Sequence, residues 1–352
     1  MIDDSDRAVL NKLPADPRAD CKQVQDGPRI LTAREMLEGS VKRAESGRRG
    51  KFSPTGNTIL DDMTGGIVPG LSWVFAARTN WGKTMWTVGV VDENLRAGRG
   101  VLIVSIEDPE DLYADRLMLR RCAVRANRGH GVAVSADRLR LGNLTSDEKL
   151  AMREVAAAGE RKPMFVNAAD WTGARIEREL DQILAAYPDI ELVILDYIQE
   201  VQSDERFNNP REKVSSNAKR IRNVAARHGR GLIIVSQITE DDDPEKWPRM
   251  KQVRDAKDVV IAAGYVLMGG IANTEIRNAR GEVILREGDR GVRVEKVKRG
   301  RKGFVKLPWD DDAACFLPVS DGRDRYDDLA PTDHWNERGE RDDGIRDGFG
   351  GI

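Results

Sequence analysis

The chain has 352 residues, enough for one large or two ordinary domains around a well-buried core. Hydrophobic residues make up 40% and charged residues 33%, and 57 Lys+Arg against 59 Asp+Glu leave a net charge of −2, which excludes a global positive field; nucleic-acid contact would have to come from local basic patches. Three scattered Cys (Cys21, Cys122, Cys315) and three scattered His argue against a zinc site and for a reducing compartment. No apolar run has the length of a membrane span and "MIDDSDRAVLNKLP" lacks a signal-peptide pattern, so the expectation is a cytoplasmic protein with no membrane partner.

Residues 1–28 are polar, carry Pro14, Pro17 and Pro28, and read as a flexible N-terminal segment. Within 29–50, "LTAREMLEGSVKRAES" opens with Thr32 and Glu35 in capping-box spacing, and Ala33, Met36, Leu37, Val41 and Ala44 share one helical face. Such a helix needs a docking surface, and another subunit is one possibility. Residues 51–319 then alternate apolar strands with periodic helices. Strands are expected at "SWVFAA", "VLIVSI", "MFVN", "LVILD", "LIIVSQ" and "VVIAAGYVLM". Helices are expected at "MWTVGVVDENLRAG", "LYADRLMLRRCAVRA", "ARIERELDQILAAY" and "REKVSSNAKRIRNVAARHG". This order predicts an α/β fold, a mostly parallel sheet covered by helices on both faces. "GVRVEKVKRG" and "GFVKLPWD" add an edge hairpin. The tail 320–352 holds ten acidic against five basic residues and reads as disordered.

The chemistry starts at "AARTNWGKTMW". Gly82-Lys83-Thr84 complete the phosphate-loop pattern G-x-x-x-x-G-K-[ST], with Ala77 where its first Gly belongs. A strand before and a helix after supply the cradle: loop amides and a helix N-terminus for phosphate, the Lys83 charge, and a Thr84 hydroxyl for Mg²⁺. Ala77 is tolerable if that position does not need φ > 0. A phosphate loop needs an acid at the end of a neighbouring strand, and Asp196 closes "LVILD". Glu107 follows "VLIVSI" at the same expected edge, as a catalytic carboxylate or as part of a solvated acidic turn. Gln237 ends "LIIVSQ", as a γ-phosphate sensor or as the start of a loop.

These motifs, with "TILDDMTGGIVPG" ahead of the loop and "VLIVSIEDPEDLYADRL", "LVILDYIQEV" and "GLIIVSQI" behind it, resemble the RecA-like motor domain of DnaB-family replicative helicases. That family's loop typically reads A-R-P-S-M-G-K-T, which matches Ala77-Arg78, and the resemblance runs from about Ile30 to Val319. It implies a RecA-like P-loop NTPase that uses ATP and Mg²⁺, assembles into a hexameric ring through the 29–50 linker helix, and translocates on single-stranded DNA. Ala77, Arg78, Thr79, Asn80, Trp81, Gly82, Lys83, Thr84 and Met85 would bind nucleotide, Thr84 and Asp196 the metal. Glu107 would be the catalytic carboxylate, and Gln237 would couple nucleotide state to the DNA loops.

"EKVKRGRKG" resembles the family's K-x-R-N-G-P-x-G, which reaches the neighbouring subunit's γ-phosphate. Lys296 fits its first cation, and Lys298 stands at the arginine-finger position with Arg299 beside it. A lysine lacks the bidentate guanidinium fork, so either Arg299 takes the role or Lys298 acts as a point charge. "KQVRDAKD" resembles the L-R-E-S-G segment that meets DNA, with Arg254 and Asp255 at its Arg and Glu, and Lys257 beyond. From charge, Arg249 and Lys251 join them as DNA-binding candidates, because Asp241–Asp243 suit phosphate poorly. The cellular members' N-terminal helical domain has no counterpart in the pattern of residues 1–28, a layout that resembles smaller phage- and plasmid-encoded relatives. A helicase loader or primase is a possible partner. The alternative is a RecA-like ATPase without unwinding, with a recombination, loader or regulatory role. A non-catalytic scaffold is disfavoured by the complete set of Lys83, Thr84, Glu107, Asp196 and Gln237.

Overall fold

The computed structural model describes residues 32–45, 52–159, 164–238, 246–253 and 256–319. The chain divides into a unit of residues 1–50 and a unit of residues 51–352. In the first, helix α1 (Ala33–Glu45) starts with the expected box: the Glu35 carboxylate accepts from the Thr32 N–H at 2.6 Å, and the Thr32 hydroxyl accepts from the Glu35 N–H at 3.2 Å. Met36, Leu37 and Val41 of its apolar face are exposed.

The second unit is built on an eight-stranded sheet. Its strands are β1 (Ser72–Ala77), β2 (Gly100–Ser105), β3 (Phe165–Asn167), β4 (Ile190–Asp196), β5 (Gly231–Gln237) and β6 (Tyr265–Ile271), then, after the small hairpin β7 (Ile276–Arg277) and β8 (Val283–Leu285), β9 (Arg290–Val297) and β10 (Gly303–Lys306). The order is β10-β9-β6-β1-β5-β4-β2-β3. β1 to β6 run parallel, and β9 and β10 join antiparallel outside β6, which is the expected edge hairpin. A two-stranded ribbon, β11 (Trp309–Asp310) and β12 (Cys315–Phe316), closes the domain.

Helices α2 (Thr58–Thr64), α3 (Lys83–Arg96), α4 (Glu110–Asn127), α5 (Ala136–Leu141), α6 (Ser146–Ala157), α7 (Gly173–Ala186), α8 (Pro210–Arg227) and α9 (Lys257–Ala262) surround the sheet. Strand side chains alternate between two cores. Trp73, Phe75 and Ala77 of β1 face one core with Trp86 and Val90 of α3 and Tyr113 of α4. Val74 and Ala76 face the other, with Ile176 and Leu180 of α7, Ile221 and Val224 of α8, and Val259 of α9. Both faces being covered, the central strands are nearly continuous apolar runs, which is why they stand out in the sequence. The Phe75 and Trp86 rings stack at 4.1 Å and anchor α3 on β1, each ring buried for about 1.5–3 kcal/mol.

One expected strand is corrected. "VVIAAGYVLM" divides into α9 and, from Tyr265, β6. Val259, Val260 and Ala263 are buried while Ile261 and Ala262 face outward, the pattern of one helical turn; a short continuous apolar run does not distinguish the two by periodicity. No expected element covers α5 and α6 either, although their caps are readable: Ser135 caps α5 before Gly142, and Thr145 with Glu148 forms a capping box on α6. The segments 1–28 and 320–352 lie outside the described residues.

Candidate nucleotide-binding site

β1 ends at Ala77 and α3 begins at Lys83, so residues 78–82 must turn tightly and point their amides at one spot. Two left-handed residues do this, Asn80 at φ 61° and Gly82 at φ 104°. Gly82 is confined as well, because a Cβ there would sit 3.3 Å from the Phe316 ring and 3.4 Å from Trp309. Ala77 has no positive φ, so its methyl costs nothing in backbone strain. It lies between Gln237 and Gly269 in register, and Gly269 leaves the room that the Ala77 methyl and the Trp81 ring occupy.

Within the loop only part of the predicted set is accessible. Thr79 and Asn80 are exposed, and Arg78, Gly82, Lys83 and Thr84 half-buried. Trp81 and Met85 point into the core, Trp81 donating its indole N–H to the Gly270 carbonyl at 2.8 Å. Their side chains hold the loop in shape. The Arg78 guanidinium donates to the Lys246 carbonyl at 3.2 Å. The Lys83 ammonium donates to the Arg78 carbonyl at 3.3 Å, closing the loop on itself. Burial lowers the Lys83 pKa, while the charges of Asp196 and Glu107 hold it up, so both acids lie within electrostatic reach of this amine.

Asp196 ends β4 beside Ser105 of β2, 5% exposed. Desolvation pushes its pKa up to about 6, although a hydrogen bond from Thr84 and the Lys83 charge favour the ionised form. A buried carboxylate so incompletely neutralised, beside a hydroxyl and above a phosphate loop, fits a site that takes a cation with its ligand. Among the described residues no group of three or more His, Cys, Asp or Glu could hold a metal.

Glu107 lies two residues past the end of β2, exposed at the same edge. Partial desolvation and then the neighbouring Asp108 charge raise its pKa. Asp108 is engaged by Arg116, whereas Glu107 interacts with the Lys83 charge. Gln237 extends from β5 across to the loop, its amide donating to the Thr79 hydroxyl at 2.6 Å. Lys83, Thr84, Asp196, Glu107 and Gln237 thus meet at the C-terminal edge of the parallel strands, the ligand edge of such sheets.

Three residues at this edge escaped the sequence reading. Gln199, in the turn after β4, accepts from the Gln237 N–H at 3.2 Å and donates to the Ser236 hydroxyl at 2.7 Å, tying the β4 and β5 ends together. Arg290 of β9 donates to the Trp81 carbonyl at 2.5 Å and lies 4.2 Å over the Trp309 ring, beside Gly82. A polar residue after "LVILDY" hinted at the first; nothing local marked Arg290 and Trp309.

The other predicted residues are elsewhere. Val297 pairs with Tyr265, at the N-terminal end of β6, so Lys296, Lys298 and Arg299 sit about five residues, or about 15 Å, along the sheet from the phosphate loop. The Lys296 ammonium donates to the Ile261 carbonyl at 2.6 Å and the Val260 carbonyl at 3.3 Å, capping the C-terminus of α9. Lys298 is exposed and lines a cleft of about 480 Å³ with Arg222 and Arg230. Gly300 holds the turn against α2, where a Cβ would fall 2.0 Å from the Met63 carbonyl oxygen. Arg249, Lys251 and Lys257 are exposed after β5, on a segment bridged back to its end by Ile238 and Val253. Arg254, Asp255 and Asp241–Asp243 lie outside the described residues.

A strand, a left-handed loop and a helix starting Lys-Thr, facing an acid on a second parallel strand, define a P-loop nucleotide-binding domain. Residues 53–317 match the DnaB-like helicase C-terminal domain, and the chain belongs to that family. It is similar to the replicative DNA helicase DnaC of Bacillus subtilis, 26% identical over 58% of this chain and 44% of that protein. The replicative DNA helicase DnaB of Pasteurella multocida is 22% identical over 86% of this chain and 64% of its own length. The chain therefore spans about half to two thirds of these relatives. Among solved structures, a separately solved ATPase domain superposes with a TM-score of 0.68 at 18% identity, over 83% of this chain and 100% of that one. A DnaB-like replicative helicase studied with its primase interactions gives 0.65 at 18% identity, over 83% of this chain and 68% of that one. The mostly parallel, RecA-like fold is thereby established. Among the described residues no helix is long and apolar enough to cross a membrane.

Proposed function

We propose that this protein is an ATP-driven DNA helicase motor: it hydrolyses ATP with Mg²⁺, assembles into a hexameric ring, and moves along single-stranded DNA to unwind duplex during replication. The observation that carries the reading is the meeting of Lys83, Thr84, Asp196 and Glu107 at one sheet edge, with Gln237 bonded to the loop through Thr79. Family membership and relatives named as replicative helicases support it.

In this reading the loop amides and Lys83 hold the β- and γ-phosphates. Thr84 and Asp196 would hold Mg²⁺, which would supply neutralisation of the phosphate charge. Glu107 takes the proton of the attacking water, a task its raised pKa suits. Arg290 and Trp309 offer a flat cationic and aromatic surface to the nucleobase. Gln237 ends β5 next to Ile238, which bridges to the segment that bears Arg249 and Lys251, and relays the state of the γ-phosphate towards DNA, with Arg254, Asp255 and Lys257 as further contacts. Lys298 or Arg299 acts on the next subunit's nucleotide, since the sheet separates it from its own. Lys296 positions that turn through α9. The setting is the bacterial cytoplasm or a phage-infected host, with a loader or primase as partner.

A lysine at the finger position favours one other reading, a RecA-like ATPase without unwinding. Steady-state ATP hydrolysis with and without single-stranded DNA, with Lys83→Ala as blank, separates the two. Strong stimulation and strand separation on a forked duplex support the motor; hydrolysis indifferent to DNA overturns it.

A further inference from the structure

Behind Asp196 lies a pair of buried hydroxyls to which the reaction assigns no role. Thr87 follows Thr84 by one turn of α3 and is fully buried; Tyr113, in the first turns of α4, is 1% exposed. Their oxygens are 3.0 Å apart. The Thr87 oxygen also lies 2.8 Å from the Thr84 carbonyl and 3.4 Å from Asp196 Oδ2. Among the described residues the Tyr113 hydroxyl meets only Thr87.

The direction of these bonds follows from proton counting. An ionised carboxylate and a carbonyl can only accept, so the Thr87 proton must go towards Asp196 or the Thr84 carbonyl. Tyr113 must then donate to Thr87. Were the pair reversed, Thr87 would spend its proton on the phenol and leave both acceptors without it. The Thr87 proton is shared between the Thr84 carbonyl at 2.8 Å and, more weakly, the Asp196 carboxylate at 3.4 Å, so the pair braces the Thr84 backbone beside the carboxylate that Thr84 also contacts.

Packing does not require the phenol oxygen. The Tyr113 ring sits in the core, 5.5 Å from Phe165, and phenylalanine would fill the same volume without burying a hydroxyl that has one partner. Thr87 is likewise flanked by apolar residues of α3, where a valine is isosteric. Two polar groups at apolar positions, Thr87 within reach of the carboxylate and Tyr113 bonded to Thr87, indicate a task beside that carboxylate.

We propose that Thr87 and Tyr113 are positioning residues: they hold the Asp196 carboxylate against Thr84 in the orientation that receives magnesium-nucleotide, and so set the Mg²⁺ requirement of nucleotide binding. The inference rests on Asp196 being the magnesium-side acid. It also ties α4 to the site twice over, because the same helix carries Arg116, the partner of Asp108 beside Glu107.

The test is a Mg²⁺ titration of fluorescent ATP-analogue binding to the full chain, paired with the analogue's affinity in EDTA. Tyr113→Phe and Thr87→Val are expected to raise the Mg²⁺ midpoint roughly three- to tenfold, the loss of one ordinary hydrogen bond, and to leave the EDTA affinity unchanged. Thr87→Ser, which keeps the hydroxyl, restores the wild-type midpoint. A wild-type midpoint in both Tyr113→Phe and Thr87→Val overturns the proposal. An equal loss with and without Mg²⁺ overturns it too, since that marks a merely structural role. Asp196→Asn is the control for the underlying reading: if it leaves the midpoint in place, the assignment of Asp196 fails, whereas a shift there with none in Tyr113→Phe sinks only the positioning role.

Discussion

Asp196→Asn should stabilise the nucleotide-free protein while abolishing hydrolysis. The carboxylate is 5% exposed, and burial moves its pKa from 3.8 to about 6. A raised folded pKa means that the fold favours the neutral form. The stability contribution is fully present below pH 3.8, the unfolded value, and is lost as pH rises through about 6. A shift of about two units corresponds to about 3 kcal/mol, so above pH 6 the ionised acid weakens the empty protein by that order. Asparagine mimics the neutral form and keeps an acceptor for Thr84 and Thr87. In EDTA at pH 8 the variant should melt roughly 5 °C or more above wild type, given the sensitivity of a domain this large. The gain should shrink between pH 6 and pH 4 and vanish below. Thermal unfolding of both proteins across that range is the assay. A variant at or below wild type at pH 8, or a gain independent of pH, would refute the argument that the acid is held at a cost for its ligand.

Glu107→Gln keeps the side-chain shape and removes the base, so ATP should bind normally and remain unhydrolysed; filter binding and a single-turnover assay read both, and normal turnover would remove Glu107 from the role. Trp309→Ala, with Arg290 left in place, should raise KM for ATP several-fold with little change in kcat, because a nucleobase contact away from the γ-phosphate is uniform binding; an unchanged KM would take Trp309 out of the site. Arg120→Met should destabilise by about 3 kcal/mol in urea, because Arg120 is 1% exposed and its removal leaves the buried Asp92 with Arg121 alone; a loss below about 1 kcal/mol would mean that Arg121 suffices.

The nucleotide side of the site was legible because its chemistry is local. Gly82-Lys83-Thr84 carry a backbone geometry, a charge and a hydroxyl in three consecutive residues, and Asp196 and Gln237 close apolar runs of the kind a doubly covered strand produces. What escaped is what the sheet assembles. Arg290 and Trp309 reach Gly82 only because β9 pairs with β6 and β6 with β1. Thr87 and Tyr113 look like core positions of two amphipathic helices until their hydroxyls are seen to meet each other beside Asp196. The Lys296 ammonium, read as a phosphate ligand in trans, caps α9, an element hidden inside a run that resembled one long strand.

The same sheet bears on assembly. Lys298 and the phosphate loop lie at opposite ends of the strands, so in the proposed motor a cation at position 298 would serve a nucleotide on another copy. Donor and acceptor surfaces then differ, the contact is head-to-tail, and repeating it closes a ring or winds a spiral. Mixing subunits tests this directly. Lys83→Ala has a dead loop and an intact finger; Lys298→Ala has the reverse. If the finger works in trans, a one-to-one mixture rebuilds sites where the loop of one variant faces the finger of the other, at about a quarter of the interfaces of a randomly mixed ring. Each variant alone is inactive, and the mixture should recover hydrolysis in that proportion. A mixture as inactive as its parts would return the finger to its own subunit, against the geometry of the strands. Substantial activity of Lys298→Ala alone would transfer the role to Arg299, and the same mixture made with Arg299→Ala would then show the recovery.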